Sequence, residues 1–242
     1  MQETLTENKR KNIIFVLIFG FVIIVAVSIF ACFKLKCKKQ DYFLEQELYI
    51  VYSEKSKKQK SLEENQKIVK NMGGSGEIYF SNDYYYLTLS AYQKKEDAES
   101  VVGQINAIFS DAGILKLTIN RISNKNKTYI KENKNLLEFF IFINKFRNKI
   151  FESEVKFLSD SITDREMTVF YLENKMKLEQ FVKLTSEFDG KMKDDILKFC
   201  NLSLLYINNF FSEFFESNKK HSLVTSLTIN IAIASVDLIN NL

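Results

Sequence analysis

An uncharged run, "IIFVLIFGFVIIVAVSIFACF" at residues 13–33, constrains this chain more than any other feature. An α-helix needs about 20 apolar residues to cross the hydrocarbon core of a bilayer. The run meets that length, so it is expected to be a single transmembrane helix, with residues 1–12 as a leading tail and 34–45 as a short basic-to-polar connector. Everything that folds in water then lies beyond residue 45.

Two questions about the span stay open at this level. A cleaved secretory signal has a shorter apolar region, which favours an uncleaved anchor. The tetrad Ile29, Phe30, Ala31 and Cys32 competes as a lipoprotein-type processing box, in which the bulky Phe30 fits poorly. Basic residues stand on both sides of the span, Lys9, Arg10 and Lys11 before it and Lys34, Lys36, Lys38 and Lys39 after it. The positive-inside rule therefore gives no clear vote. The short leading tail favours a cytoplasmic amino terminus, with the folded part outside the cell.

Composition removes several function classes. A net charge of +4 is too mild an electrostatic footprint for nucleic acid. Three cysteines make no disulfide framework, and no cysteine or histidine pair has zinc spacing. The one histidine, His221, is expected at the surface, and no Ser-His-Asp or Cys-His arrangement can be assembled around it. The adjacent carboxylates Asp194 and Asp195 point in different directions on a helix and are expected to meet water. The expectation is a protein without catalysis, metal or cofactor.

Residues 46–123 carry an internal repeat. "ELYIVYS" (47–53) aligns with "YYYLTLS" (84–90), each strand-like and each followed by a charged turn and a helix, at 61–72 and 95–109. A further strand follows each helix, "GEIYF" and "ILKLTINRI", and Ser81, Asn82 and Asp83 form a hairpin between the halves. The order β-α-β-β-α-β predicts a ferredoxin-like sandwich, one sheet with two helices on one face. The glycines of "NMGGSGEIYF" end a helix and open a strand, the opposite polarity to a phosphate-binding loop.

Period two assigns the faces. Ile50, Tyr52, Ile78, Phe80, Leu87, Leu89, Leu117 and Ile119 are expected to meet the two helices. Tyr49, Val51, Glu77, Tyr79, Tyr84, Tyr86, Thr88, Lys116, Thr118 and Asn120 are expected on the other face, which gathers four tyrosines. An exposed cluster of such rings suits the apolar and hydroxyl surfaces of a sugar. The equally concrete alternative is that the helical region, or a second copy of the chain, covers them.

"LYIVYS", "YYLTLSAY", the helix start "KKEDAESV" (94–101) and "GGSGEIYF" resemble the bacterial SPOR (sporulation-related repeat) domain family, and are similar to a membrane-anchored group of it in clostridia-like bacteria. The resemblance covers about a third of the chain. It implies a module outside the cytoplasm that binds septal peptidoglycan glycan strands in division or sporulation, through the open face of its sheet. By position the family's surface falls on Val51, Ser53, Tyr86, Thr88 and Ser90. Val51 stands where a glutamine is common in the family and Tyr86 where a basic residue is common. Joined to the reading of faces, this gives Tyr49, Val51, Tyr84, Tyr86 and Thr88 as the expected glycan-binding residues.

Residues 124–242 read as a helical bundle. The first helix repeats Leu136, Phe139, Phe140, Ile143, Phe146 and Ile150; the second opens on Thr163 and Glu166 at capping-box spacing; the third spaces Leu197, Cys200, Leu204, Ile207, Phe211 and Phe214 in three-four steps. The last segment, "LVTSLTINIAIASVDLI", fits both periods and is expected to be a buried helix. Asn230 and Asp237 argue against a second membrane span. The expected fold class is thus α+β, a sandwich plus a helical bundle behind one transmembrane helix. The expected function is a membrane-anchored cell-envelope binding or scaffold protein, its alternative a structural module that uses the bundle to engage a protein partner or another copy of itself.

Overall fold

Leu48, Tyr49, Ile50 and Val51, consecutive in an interior strand of the sheet, are all buried, and the rest of the fold is arranged to cover both their faces. The structure, a computed structural model, describes residues 46–188 and 190–242. The expected tail, span and connector lie outside the described residues. In chain order the elements are β1 (Gln46–Ser56), α1 (Lys60–Asn71), β2 (Ile78–Ser81), β3 (Tyr84–Tyr92), α2 (Lys95–Ile105), β4 (Gly113–Ile119), α3 (Asn124–Glu132), α4 (Lys134–Leu158), α5 (Asp164–Leu184), α6 (Gly190–Phe214) and α7 (Lys220–Asn240). The strands form one antiparallel sheet in the order β2-β3-β1-β4. The protein is α+β, as expected from the sequence.

Local chemistry explains the joints. After α1 the amide of Gly73 donates to the Lys70 carbonyl and that of Gly74 to the Val69 carbonyl, with Gly73 at φ +86°, a Schellman stop. The amides of Ser75 and Gly76 then donate to the Leu89 and Thr88 carbonyls. The glycine-rich stretch therefore ends a helix and lies along β3, with its donors spent inside the fold. Asn82 and Asp83, at φ 50° and 64°, make the two-residue hairpin turn whose twist matches the strands. Thr163 and Glu166 close the expected capping box on α5.

Each face of the sheet is covered. On one side α1 and α2 pack with Tyr49, Val51, Leu87, Leu89 and Phe109. On the other, Leu48, Ile50, Tyr86, Leu115 and Ile119 share a core with α4, α5, α6 and α7. The helices that follow residue 123 are thus built onto the sheet, and all described residues belong to one compact unit. Helix α7 is tied to the sheet near both of its ends. Ser226 donates to Glu77 beside β2, while Asn240 donates to the Thr118 carbonyl and accepts from the Asn120 amide beyond β4.

The expected faces hold for β2 and β3 and are inverted for β1 and β4. Ile50 and Tyr52 lie with Tyr86, the Tyr52 and Tyr86 rings edge to face at 5.0 Å, while Tyr49 and Val51 lie with Leu87 and Leu89. Leu117 and Ile119 likewise pack on the helices of the second core. Two register shifts break the repeat: Val51 pairs Ser90, Tyr52 pairs Thr88, and Glu54 pairs Leu87. Leu89 and Ser53 are each skipped, and such bulges change which way a strand's side chains point. Period two has no power here in any case, because Leu48, Tyr49, Ile50 and Val51 are all buried.

Helix α3 was not expected from the sequence. In α4 all six expected core residues are buried. In α6 the buried stripe is Ile196, Phe199, Cys200, Ser203, Ile207, Phe210 and Phe214, so of the expected seam Cys200, Ile207 and Phe214 are buried while Leu197, Leu204 and Phe211 stand beside the stripe, half-buried. The last segment is helical, as expected. By length and composition α7 passes for a membrane span, but 67% of its most apolar window is buried inside the fold.

Two glycines separate space from helix propensity. A Cβ at Gly74 would meet the Leu89 and Val69 side chains at 2.7 and 2.8 Å, whereas one at Gly103, inside α2, would meet nothing within 4 Å. Gly74→Ala is expected to cost about 1–3 kcal/mol by overpacking. Gly103→Ala is expected to add about 0.5–1 kcal/mol, and urea unfolding of the purified protein measures both.

Candidate functional site

None of the five residues expected on an open aromatic face lies on one. Tyr49 is 7% exposed and sits under α1 and α2, its hydroxyl donating to Glu47. Val51 and Thr88 are fully buried, and the Thr88 hydroxyl donates to the Glu77 carbonyl. Tyr86 is 8% exposed beneath the C-terminal helices, and Tyr84 is half-buried, with the Lys55 and Lys57 ammonium groups 5.6 and 5.7 Å from its ring. Tyr79 also packs against the second core. The expectation of an open sheet face is corrected: its second side is the floor of the helical layer.

A wide opening lies elsewhere. A cleft of about 770 Å³ lies between α2, the end of β3 and the last turns of α4. That volume is within the roughly 300–1,000 Å³ typical of small-molecule sites. Its walls are apolar: Val101 and Ile105 from α2, Leu89 and Ala91 from β3, Phe151, Val155 and Leu158 from α4. Lys94, Asp97, Glu152 and Lys156 supply charge among the lining residues.

Glu154 lines the same cleft, and it is 5% exposed. Burial pushes its carboxyl up from the usual 4.5 to about 8; the Thr225 and Thr228 hydroxyls beside it oppose the shift, though neither reaches hydrogen-bonding geometry. No lysine or arginine among the described residues makes an ion pair with it. At neutral pH the group is mainly the neutral acid, able both to donate and to accept a hydrogen bond.

Glu154 reaches this place because α4 carries one buried stripe from end to end. Leu136, Phe139, Phe140, Ile143, Ile150 and Phe157 repeat at helical steps, and Arg147 and Glu154 occupy the same stripe two turns apart. Neither was singled out from the sequence. The available signal was an ionisable residue at a core position of an otherwise apolar spacing, since such groups are almost never fully buried without a partner.

Other reactive side chains do not gather. His221 is exposed, its ring edge to face with Phe157 at 5.6 Å. Cys200 is fully buried, and burial pushes its thiol up to about 12. Among the described residues no group of three or more histidine, cysteine or acidic side chains is placed to hold a metal ion. No family model matches the chain, and no curated protein or solved structure matches it.

Glu154 sets a pH dependence whose sign follows from linkage. Its folded pKa lies above its unfolded one, so between about pH 4.5 and 8 the folded state holds the extra proton and stability falls as pH rises. Glu154→Gln removes that slope. The variant is expected to match the parent near pH 4.5 and to exceed it by roughly 2–5 kcal/mol at pH 9, read from denaturant unfolding across pH.

Proposed function

We propose that this protein is a non-catalytic binding component of a bacterial cell envelope, tethered by residues 13–33, whose ligand enters the Glu154 cleft. Within it residues 46–123 are a ferredoxin-like sandwich of the kind the SPOR resemblance implies. The element order and the antiparallel order β2-β3-β1-β4 support that reading. Glycan docking on the sheet is not carried forward, because helices cover the rings that would have made it.

One observation carries the proposal: a carboxyl buried without an ionic partner lines an apolar cleft that opens to solvent. A buried polar group without a partner is costly, and a ligand that hydrogen-bonds it recovers the cost. The matching occupant is an aliphatic chain ending in a neutral hydroxyl or amide. The walls take the chain and the protonated carboxyl takes the head, whereas a charged head would have to be desolvated beside them.

A second reading, a protein-interaction module built on the C-terminal helices, is favoured by a separate feature. Val169, Leu172 and Met176 follow three- and four-residue steps on α5 and are 46, 48 and 63% exposed. Such a row suits a helix of a second copy of this chain.

Photolabelling tests the first reading. The full chain in nanodiscs, treated with a diazirine-bearing decanol, is expected to label peptides around Val101 and Val155, with competition by decanol and loss of labelling in Val101→Trp. Labelling that ignores Val101→Trp rejects the cleft. Under the second reading the chain self-associates in sedimentation, and Met176→Glu, not Val101→Trp, abolishes it.

A further inference from the structure

Arg147 is the second ionisable residue on the buried stripe of α4, and its surroundings are of a different kind from those of Glu154. It is 4% exposed, and its Nη1 is buried with no hydrogen-bond partner. Nη2 donates to the Asn144 side-chain oxygen at 3.1 Å and to that of Gln46, both neutral. No carboxylate among the described residues pairs with it. Burial pulls its pKa down to about 10, which still leaves it cationic at neutral pH.

A desolvated guanidinium without a counter-charge is rare, since the effective cost is several kcal/mol and buried charges are paired. Arg147 lines a pocket of about 280 Å³ at the start of β1, with Gln46, Gln93 and Asn148 among its walls. The Gln93 amide donates to the Asn148 oxygen at 2.9 Å, which leaves the Asn148 amide nitrogen as a second donor to the pocket. Glu47 lines it too, but its carboxylate is held by the Lys116 ammonium and the Tyr49 hydroxyl. The cation thus has only neutral acceptors on Nη2, an amide donor beside it, and no counter-charge.

We propose that this pocket is an anion site, in which Arg147 and Asn148 bind the oxygens of a phosphate-type group. The planar fork of arginine fits such oxygens in pairs, and its charge makes those bonds the strong kind. The group has two possible sources, free phosphate or the phosphodiester of a lipid headgroup. The pocket opens where the chain enters the fold at Gln46, and the twelve residues 34–45 that separate it from the expected span extend at most about 40 Å, so a headgroup is within reach.

The test uses the full chain in maltoside micelles, which carry no phosphate. One arm titrates sodium phosphate against sodium chloride at equal ionic strength; the other titrates dihexanoyl phosphatidylglycerol below its micellar concentration. Calorimetry and thermal unfolding are expected to show one site in at least one arm. Binding in the first identifies free phosphate as sufficient, and binding only in the second identifies the headgroup. Arg147→Gln is expected to weaken that binding at least tenfold. Because this variant also removes a buried side chain, Asn144→Asp serves beside it: it is nearly isosteric and sets a carboxylate against Nη2, so it should unfold at or above the parental temperature and bind at least tenfold more weakly. No response beyond chloride in either arm overturns the proposal, as does an Asn144→Asp variant that binds as tightly as the parent.

Discussion

From Leu48 to Val51, strand β1 has no polar face. Leu48 and Ile50 point to one side of the sheet and Tyr49 and Val51 to the other, and all four are buried. A strand of this kind is stable only between two covering layers. Helices α1 and α2 supply one. The second comes from the C-terminal helices, with α7 laid across the sheet and tied beside β2 and β4 by Ser226 and Asn240. The sheet and the later helices are therefore one structure, and the tyrosines of the second face are part of its interior.

Covering both faces also determines where surface chemistry can occur. With the sheet sealed, two of the openings lie at the start of β1 and along the seam with α4. Helix α4 brings Arg147 to one opening and Glu154 to another, each without an ionic partner. An apolar residue at either position would be the ordinary choice for stability. A buried guanidinium and a buried carboxyl on one stripe, set about 10 Å apart by seven residues of helix and not paired with each other, make α4 the element that both completes the core and furnishes the candidate sites.

Much of the fold was legible in the sequence. The element order through β4, the Gly73 stop, the Asn82-Asp83 turn, the Thr163 cap and the core of α4 follow from local rules that tertiary packing does not override. The faces of β1 and β4 were not legible. Alternation reports a face only when one side meets water, and the bulges at Ser53 and Leu89 break the alignment of the two repeats. Helix α3 was missed because "NKNKTYIKE" holds a single large aliphatic residue, Ile130, and so carries no apolar period. The expected site failed for the same reason as the faces. Four tyrosines at alternate positions look alike in sequence whether water or a helix lies over them. Arg147 and Glu154 were visible as breaks in an apolar spacing, but that they lack partners is a property of the packed structure.

Amide hydrogen exchange on the full chain tests most directly whether the second layer is integral to the sheet. Peptides covering Leu48 to Val51 and those covering Val224 to Val236 are predicted to share the deepest protection and to exchange together, because opening α7 would uncover β1. Exchange in α7 that runs orders of magnitude ahead of β1 would contradict this account and return the tyrosine face to solvent.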